Sequence, residues 1–402
     1  MTVLIVSTLL KFALFVLGFV MPLASLLTWL ERRQSAYMQD RMGPNRADLR
    51  FGGKRLTVAG LLHIVADGLK MFFKEPFKPE LANGGLFRVA PGIGFVTTLT
   101  IAALIPFGPD LQTPWGVIPM QIARVETGLL LVFAIGSLGV YGAALAGWAS
   151  NNRFALLGGL RAASQGISYE IALGLTAVGV LIAFGATELS AIVAAQDGVF
   201  AGGMVPTWGL FYQPAAAVLF LAAAIAETKR GPFDAPEGES EIIGYFVEYS
   251  SMGFGLFMLG EFAEIVVLSS LFTTLFLGGW HLPWVLGEST INLGLWTIEA
   301  TPIARGLTAM LIFGAKVFLV CSFQLAIRWT LPRFRYDQIM WLGWKNLLPL
   351  ALVNIFLTAV LVWVDPSLNL LGYVGLGMIG LFLLVVIAGP RQAPQRVAAP
   401  SH

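Results

Sequence analysis

Pro214-Ala-Ala-Ala-Val-Leu-Phe-Leu-Ala-Ala-Ala-Ile-Ala226-Glu227-Thr-Lys-Arg-Gly-Pro-Phe-Asp234-Ala-Pro-Glu-Gly-Glu-Ser-Glu241-Ile-Ile-Gly-Tyr-Phe-Val-Glu248 is the stretch whose reading decides the fold. Its first thirteen residues carry no charge; its remainder is the most acidic run in the chain, with six carboxylates (Glu227, Asp234, Glu237, Glu239, Glu241, Glu248) and two bases, Lys229 and Arg230. A second apolar run begins just after Glu248. Pro232 and Pro236 prevent one continuous helix. The pattern is therefore two membrane helices joined by a charged, bent segment, residues 228–248. Such a segment is ordinarily a solvated loop. Glu227, however, follows the apolar run without a polar break and so lies at membrane depth, where an ionisable group is costly and marks a functional site.

Composition extends this reading to the whole chain. Of 402 residues, 57% are hydrophobic and 12% charged, against about 25% charged in soluble domains. The expected class is an all-α polytopic membrane protein. A single cysteine, Cys321, excludes an internal disulfide. One thiol and three scattered histidines (His63, His281, His402) give no iron–sulfur or zinc ligand pattern. No cleavable leader is expected, since the first apolar run is too long and ends in Glu31-Arg32-Arg33.

Nine transmembrane helices are expected, near residues 4–30, 86–107, 127–149, 163–187, 213–229, 249–277, 304–329, 343–364 and 369–388, long enough for about 30 Å of hydrocarbon. With the N-terminus periplasmic, all but four of the 25 Lys and Arg (Lys11, Arg124, Arg305 and Lys316) fall on the cytoplasmic side, as the positive-inside rule requires. The C-terminus is then cytoplasmic, and 228–248 is a cytoplasmic loop. An interfacial amphipathic helix is expected over 57–75: His63, Asp67, Lys70 and Lys74 recur on one face, opposite Leu61, Val65, Leu69 and Phe72. It serves either as an anchor or as the lining of an entrance for a lipid-like ligand. Trp280, Trp284 and Trp296 read as interface anchors in an outer loop. Gly375-Leu-Gly-Met-Ile-Gly380 matches a dinucleotide fingerprint in letters only; inside an apolar run, its glycines serve close helix packing. Residues 389–402 read as a flexible tail.

Neither a nucleophile–base pair nor a phosphate loop is visible. The chemistry left is that of carboxylates in or beside the spans: Glu126, Glu170, Glu227, Glu248, Glu261 and Glu264. Each costs roughly 2.5–3.5 kcal/mol at a helix centre. Several such acids on different helices form a proton route, because burial raises a carboxyl pKa toward neutrality. On a continuous helix Glu261 would lie roughly 20 Å deeper than Glu248. Lys316 and Arg305 are candidate partners in the outer half. Glu31-Arg32-Arg33 with Gln39-Asp-Arg-Met-Gly-Pro-Asn-Arg46 reads first as a topology-setting basic turn and second as a docking surface, given the rigid Gly43-Pro44 turn.

These motifs, with Ala66-Asp-Gly-Leu-Lys70, Phe73-Lys-Glu75, Gly147-Trp-Ala-Ser-Asn-Asn152, Ser168-Tyr-Glu170, Pro236-Glu-Gly-Glu-Ser-Glu241 and Arg335-Tyr-Asp-Gln338, span nearly the whole chain. Together they make it resemble the H subunits of bacterial NADH:quinone oxidoreductase, respiratory complex I. The resemblance implies a component of a proton-translocating complex in the bacterial inner membrane, without a redox centre of its own and inactive alone. Quinone is the implied substrate, entering a tunnel formed with the hydrophilic arm. Iron–sulfur clusters and FMN are implied in partner subunits, alongside other membrane-arm subunits, quinone and lipid; no nucleic acid is implied. By the same likeness Glu31, Arg32, Asp67, Lys70, Arg230, Asp234, Glu237, Glu239 and Glu241 line or flank the quinone cavity. Glu126, Glu170, Glu227, Glu248 and Glu261 form the acidic relay toward the pumping subunits. Lys229 departs from the resemblance, standing where an Asn is more usual. The alternatives are the homologous membrane component of a deazaflavin-oxidising dehydrogenase or membrane-bound hydrogenase, and a stand-alone proton-coupled transporter. The transporter would show internal repeats with broken helices in matching positions.

Overall fold

The computed structural model describes residues 2–51, 54–113, 116–238, 244–285, 290–292, 297–299 and 301–388. Glu239, Glu241, Trp296 and the tail 389–402, all named above, lie outside the described residues.

The chain is helical in successive long apolar runs, confirming an all-α polytopic membrane protein. The first run is α1 (Thr2–Phe12), a π-helical stretch Ala13–Val20 and α2 (Met21–Met38) in one continuous rod. A short hairpin (Leu49–Phe51 with Lys54–Leu56) leads to α3 (Leu62–Phe73) and then α4 (Gly84–Leu104). Next come α5 (Gly128–Ala149), α6 (Arg153–Phe184), the short α7 (Leu189–Ala195) and α8 (Gly209–Tyr212), and α9 (Pro214–Glu227). The chain continues with α10 (Ser251–Phe276), α11 (Pro302–Thr330) and α12 (Tyr336–Trp341). A second π-helical stretch, Leu342–Leu347, runs into α13 (Leu348–Val364), and α14 (Asn369–Ala388) ends the described chain.

Among the described residues, eight helices are long and apolar enough to cross a membrane. The other expected span, 213–229, is the 14-residue helix α9, about 21 Å long and so shorter than the hydrocarbon core. Gln213 breaks the chain between α8 and α9 (φ −138°, ψ 60°), and Pro214 opens α9 where its missing N–H costs nothing. The amphipathic helix is also shorter than expected. Val58, Ala59 and Gly60 all have positive φ, which keeps the helix from starting before Leu62. It stops at Phe73, just ahead of Glu75-Pro76. Conversely α6 starts at Arg153, ahead of the expected 163, because the Asn152 side chain caps the Phe154 N–H at 2.9 Å.

α10 is the axis of the bundle: it packs on α2, α4, α9 and α11, and most of its side chains are buried. α5 lies between α4 and α6. Their approach depends on glycine, since a Cβ on Gly142 would come within 2.9 Å of the Gly94 nitrogen. The glycines of α14 divide. A Cβ on Gly375 would overlap the Phe211 carbonyl and one on Gly372 the Phe200 ring, whereas Gly377 and Gly380 face open space. Only the first half of α14 is clasped. Trp284 is half exposed, but Trp280 is buried in the core rather than placed as a surface anchor.

Candidate functional site

The acidic segment begins where α9 ends. Lys229 takes φ 54°, a left-handed conformation that stops the helix, and Gly231-Pro232 carries the chain away. The segment then folds back against α10 instead of lying over it. Tyr245 is 2% exposed, and its hydroxyl donates to Glu261 Oε1 at 3.0 Å. The Glu237 carboxyl lies close enough to that of Glu261 for the two to interact. Glu261 is therefore reached by the segment itself, which corrects the expected depth gradient: the straight helix assumed from Glu248 to Glu261 starts only at Ser251.

A line of charge crosses the bundle here. Arg230 Nη1 donates to Glu31 Oε2 of α2 at 3.0 Å, and its Nη2 lies 3.5 Å from Glu261 Oε2. The Arg230 guanidinium also sits 4.1 Å over the Phe262 ring. Arg328, near the end of α11, holds the other Glu31 oxygen. Arg333 pairs with Asp234 at 3.4 Å and also donates to the Asp234 carbonyl. Four elements distant in sequence are thus joined through carboxylate–guanidinium contacts that are mostly buried.

Beneath this line is a cavity between α4, α5, α6 and α10, into which Glu170, Glu227, Lys229, Tyr245, Glu261 and Glu264 project. Its remaining wall is apolar or small, including Gly94, Gly136 and Gly139. Among the described residues, Glu227 Oε2 and Glu237 Oε1 are buried without a hydrogen-bond partner. In the segment outside the spans, burial raises the Glu237 pKa well above the usual carboxyl value, and the neighbouring Glu261 carboxyl adds to the shift. Burial also raises that of Asp234, against the opposing pull of Arg333 and Arg328. Raised values favour the protonated form of both acids, and a change in local charge shifts that balance.

Not every expected residue belongs to this cluster. Glu126 is exposed in the turn before α5, where its backbone carbonyl accepts from Thr187 at 2.7 Å. The chain has not yet entered the helix at that point, so Glu126 is not a buried acid. Glu248 is half-buried and bonded by Asn152 Nδ2 at 2.6 Å, away from the cavity lining. Arg32 pairs with Asp67 of α3 at 2.6 Å, linking the first span to the amphipathic helix, while Lys70 is exposed. Lys316 meets no carboxylate among the described residues: its Nζ donates to the carbonyls of Leu277 (2.6 Å), Gly279 (3.0 Å) and His281 (2.7 Å), with the Trp208 ring 4.2 Å away. Arg305 is exposed at the start of α11. Arg328, Arg333 and Tyr245 were not singled out from sequence. An Arg at the end of a span reads as a topology signal, and only the fold gives it a partner. Among the described residues, no group of three or more His, Cys, Asp or Glu is arranged to hold a metal ion.

Comparison with known proteins covers this same region. A family model described as NADH dehydrogenase matches residues 10–359. An H subunit of the NADH-quinone oxidoreductase of Geobacter metallireducens is 44% identical over 340 residues, 84% of this chain and 92% of that protein. The corresponding H subunit of Thermomicrobium roseum is 43% identical over 360 residues, 89% of this chain and 96% of that protein. That of Flavobacterium psychrophilum is 42% identical over 352 residues, 87% of this chain and 94% of that protein.

Proposed function

The chain belongs to the NADH dehydrogenase family, among the H subunits of NADH-quinone oxidoreductase, and on that premise we propose that it forms the membrane wall of a quinone tunnel and couples quinone reduction to proton movement. The observation that carries the proposal is the unbroken contact from Glu31 through Arg230 to Glu261 and Tyr245, at a cavity that also receives Glu170, Glu227 and Glu264.

Quinone enters from the membrane past α3 and the Arg32–Asp67 pair. Electrons would be supplied by an iron–sulfur cluster of a hydrophilic-arm partner, with FMN also held in partner subunits. Reduction adds negative charge to the quinone, and two protons must follow. Two unit charges interact at about 332/(εr) kcal/mol, or near 2 kcal/mol at ~8 Å with an effective ε of ~20. That is enough to move a nearby carboxyl by more than a pKa unit. Asp234 and Glu237, whose pKa values are already raised, are the groups that respond, and Arg230, which meets both Glu31 and Glu261, transmits the change to them. Glu227, Glu170 and Glu264 then pass the protonation change inward through the cavity. In the proposed orientation the N-terminus is periplasmic and the acidic segment cytoplasmic.

The test is to assemble the complex with Glu227→Gln and with Glu170→Gln and to measure quinone reduction and proton translocation separately. Each variant is expected to lower the protons moved per quinone reduced. Normal pumping in both would end the relay reading.

A further inference from the structure

We propose that Gln165, on the buried face of α6, is a positioning residue whose single amide grips both ends of the turn carrying Glu227, Lys229, Arg230 and Asp234. Its Nε2 donates to the Ala226 carbonyl at 2.7 Å and to the Phe233 carbonyl at 2.8 Å. Those two carbonyls belong to the residues immediately before Glu227 and Asp234. The inference rests on the reading that this turn serves quinone reduction and proton transfer.

Packing alone does not account for a glutamine here. The side chain is fully buried, and its Oε1 has no hydrogen-bond partner among the described residues. A hydrocarbon side chain of the same volume would avoid that lone buried acceptor. What it could not do is supply two N–H groups from one atom to two carbonyls seven residues apart in sequence. The amide orientation is set by those two acceptors, since only the NH2 end can donate.

The rest of the same α6 turn is built around the clamp. Gly166 lets α5 come close, since a Cβ there would lie 2.9 Å from Val140 Cγ2, and its open side faces Glu227 Oε1, 3.6 Å from that same Cβ position. One turn on, the Tyr169 ring meets Phe233 edge-on at 5.7 Å, and its hydroxyl donates to the Ile339 carbonyl at 2.8 Å. The next residue, Glu170, lines the cavity. Two successive turns of α6 thus hold the acidic turn at both ends and face it with a further carboxyl.

The experiment compares Gln165→Met and Gln165→Glu in the assembled complex, in membrane vesicles. Methionine keeps the volume and removes both donors. Glutamic acid keeps one donor while protonated and repels both carbonyls once ionised. Charged groups on the clamped segment (Glu227, Lys229, Arg230, Asp234) and the arginines behind it (Arg328, Arg333) are common to all forms, so the difference between pH profiles isolates position 165. For the Met variant, kcat for quinone is expected to fall about tenfold at all pH values with KM little changed, while NADH oxidation by a soluble acceptor stays normal. The Glu variant is expected to retain most of its activity at low pH and to lose it as pH rises, an ionisation absent from the parent. Parental kcat and pH profile in both variants overturn the proposal. So does failure of both to assemble, which would make the residue purely structural. Proton translocation by the Glu227→Gln and Glu170→Gln forms in the same vesicles separates the two readings: normal pumping there with a new ionisation at position 165 sinks the relay and leaves the clamp, and the opposite pair of results does the reverse.

Discussion

Glu31 shows how much depends on single side chains in this bundle. One carboxylate, 14% exposed, holds Arg230 on one oxygen and Arg328 on the other. Removing its charge takes from Arg328 the carboxylate it holds and leaves Arg230 with Glu261 alone, a kind of loss that costs about 3–5 kcal/mol when the pair is fully buried. Glu31→Gln is therefore expected to lower the thermal midpoint of the purified complex by several degrees, and an unchanged midpoint would show the pair to be solvent-screened. Glu237 makes the opposite case. Its folded pKa lies above its unfolded one, through burial first and the neighbouring Glu261 second. Between those two values the folded chain binds the extra proton, so stability falls as pH rises from the unfolded carboxyl value of about 4.3 through the folded one. Glu237→Gln removes that slope. Its melting temperature is expected to vary less with pH than the parent's and to exceed it on the alkaline side; parallel curves for the two proteins would refute this.

Lys316 acts on a whole element. Its ammonium collects three carbonyls past the end of α10, where Gly278 and Gly279 turn the chain at positive φ. A cation at a helix C-terminus opposes the helix dipole as well as satisfying carbonyls that have no helical donor. Lys316→Met is expected to cost about 2–3 kcal/mol and to raise hydrogen exchange over 273–285, with 251–262 little affected. The elements themselves were legible: apolar length is a local property, and the long runs needed nothing else to be recognised. The ends were less so. The start of α6 depended on the Asn152 cap, and the start of α3 on three successive positive φ values, at Val58, Ala59 and Gly60, of which only the glycine is of a type that favours them. The site was legible in its residue types but not in its pairings. Glu31 and Arg230 stand 199 positions apart, and Glu126 resembles Glu170 until the fold leaves one in an exposed turn and the other in the cavity.

At the scale of the whole molecule, the distribution of Lys and Arg requires the two ends of the bundle to face different compartments. The single native thiol, Cys321, is fully buried and does not interfere with labelling. A membrane-impermeant maleimide applied to intact cells is expected to modify Gln112→Cys, exposed on the loop after α4, and to spare Asp337→Cys, exposed on α12. Labelling of the second before lysis would invert the proposed orientation. The shortness of α9 has a consequence for how the protein is made. With 14 residues it falls below the roughly 17 that a segment needs to leave the translocon on its own. It must partition into the bilayer together with α10, as a hairpin that carries the charged turn at its tip. The carboxylates are then delivered already facing one another, and the ribosome has lengthened the chain past α10 before the bilayer accepts any of them.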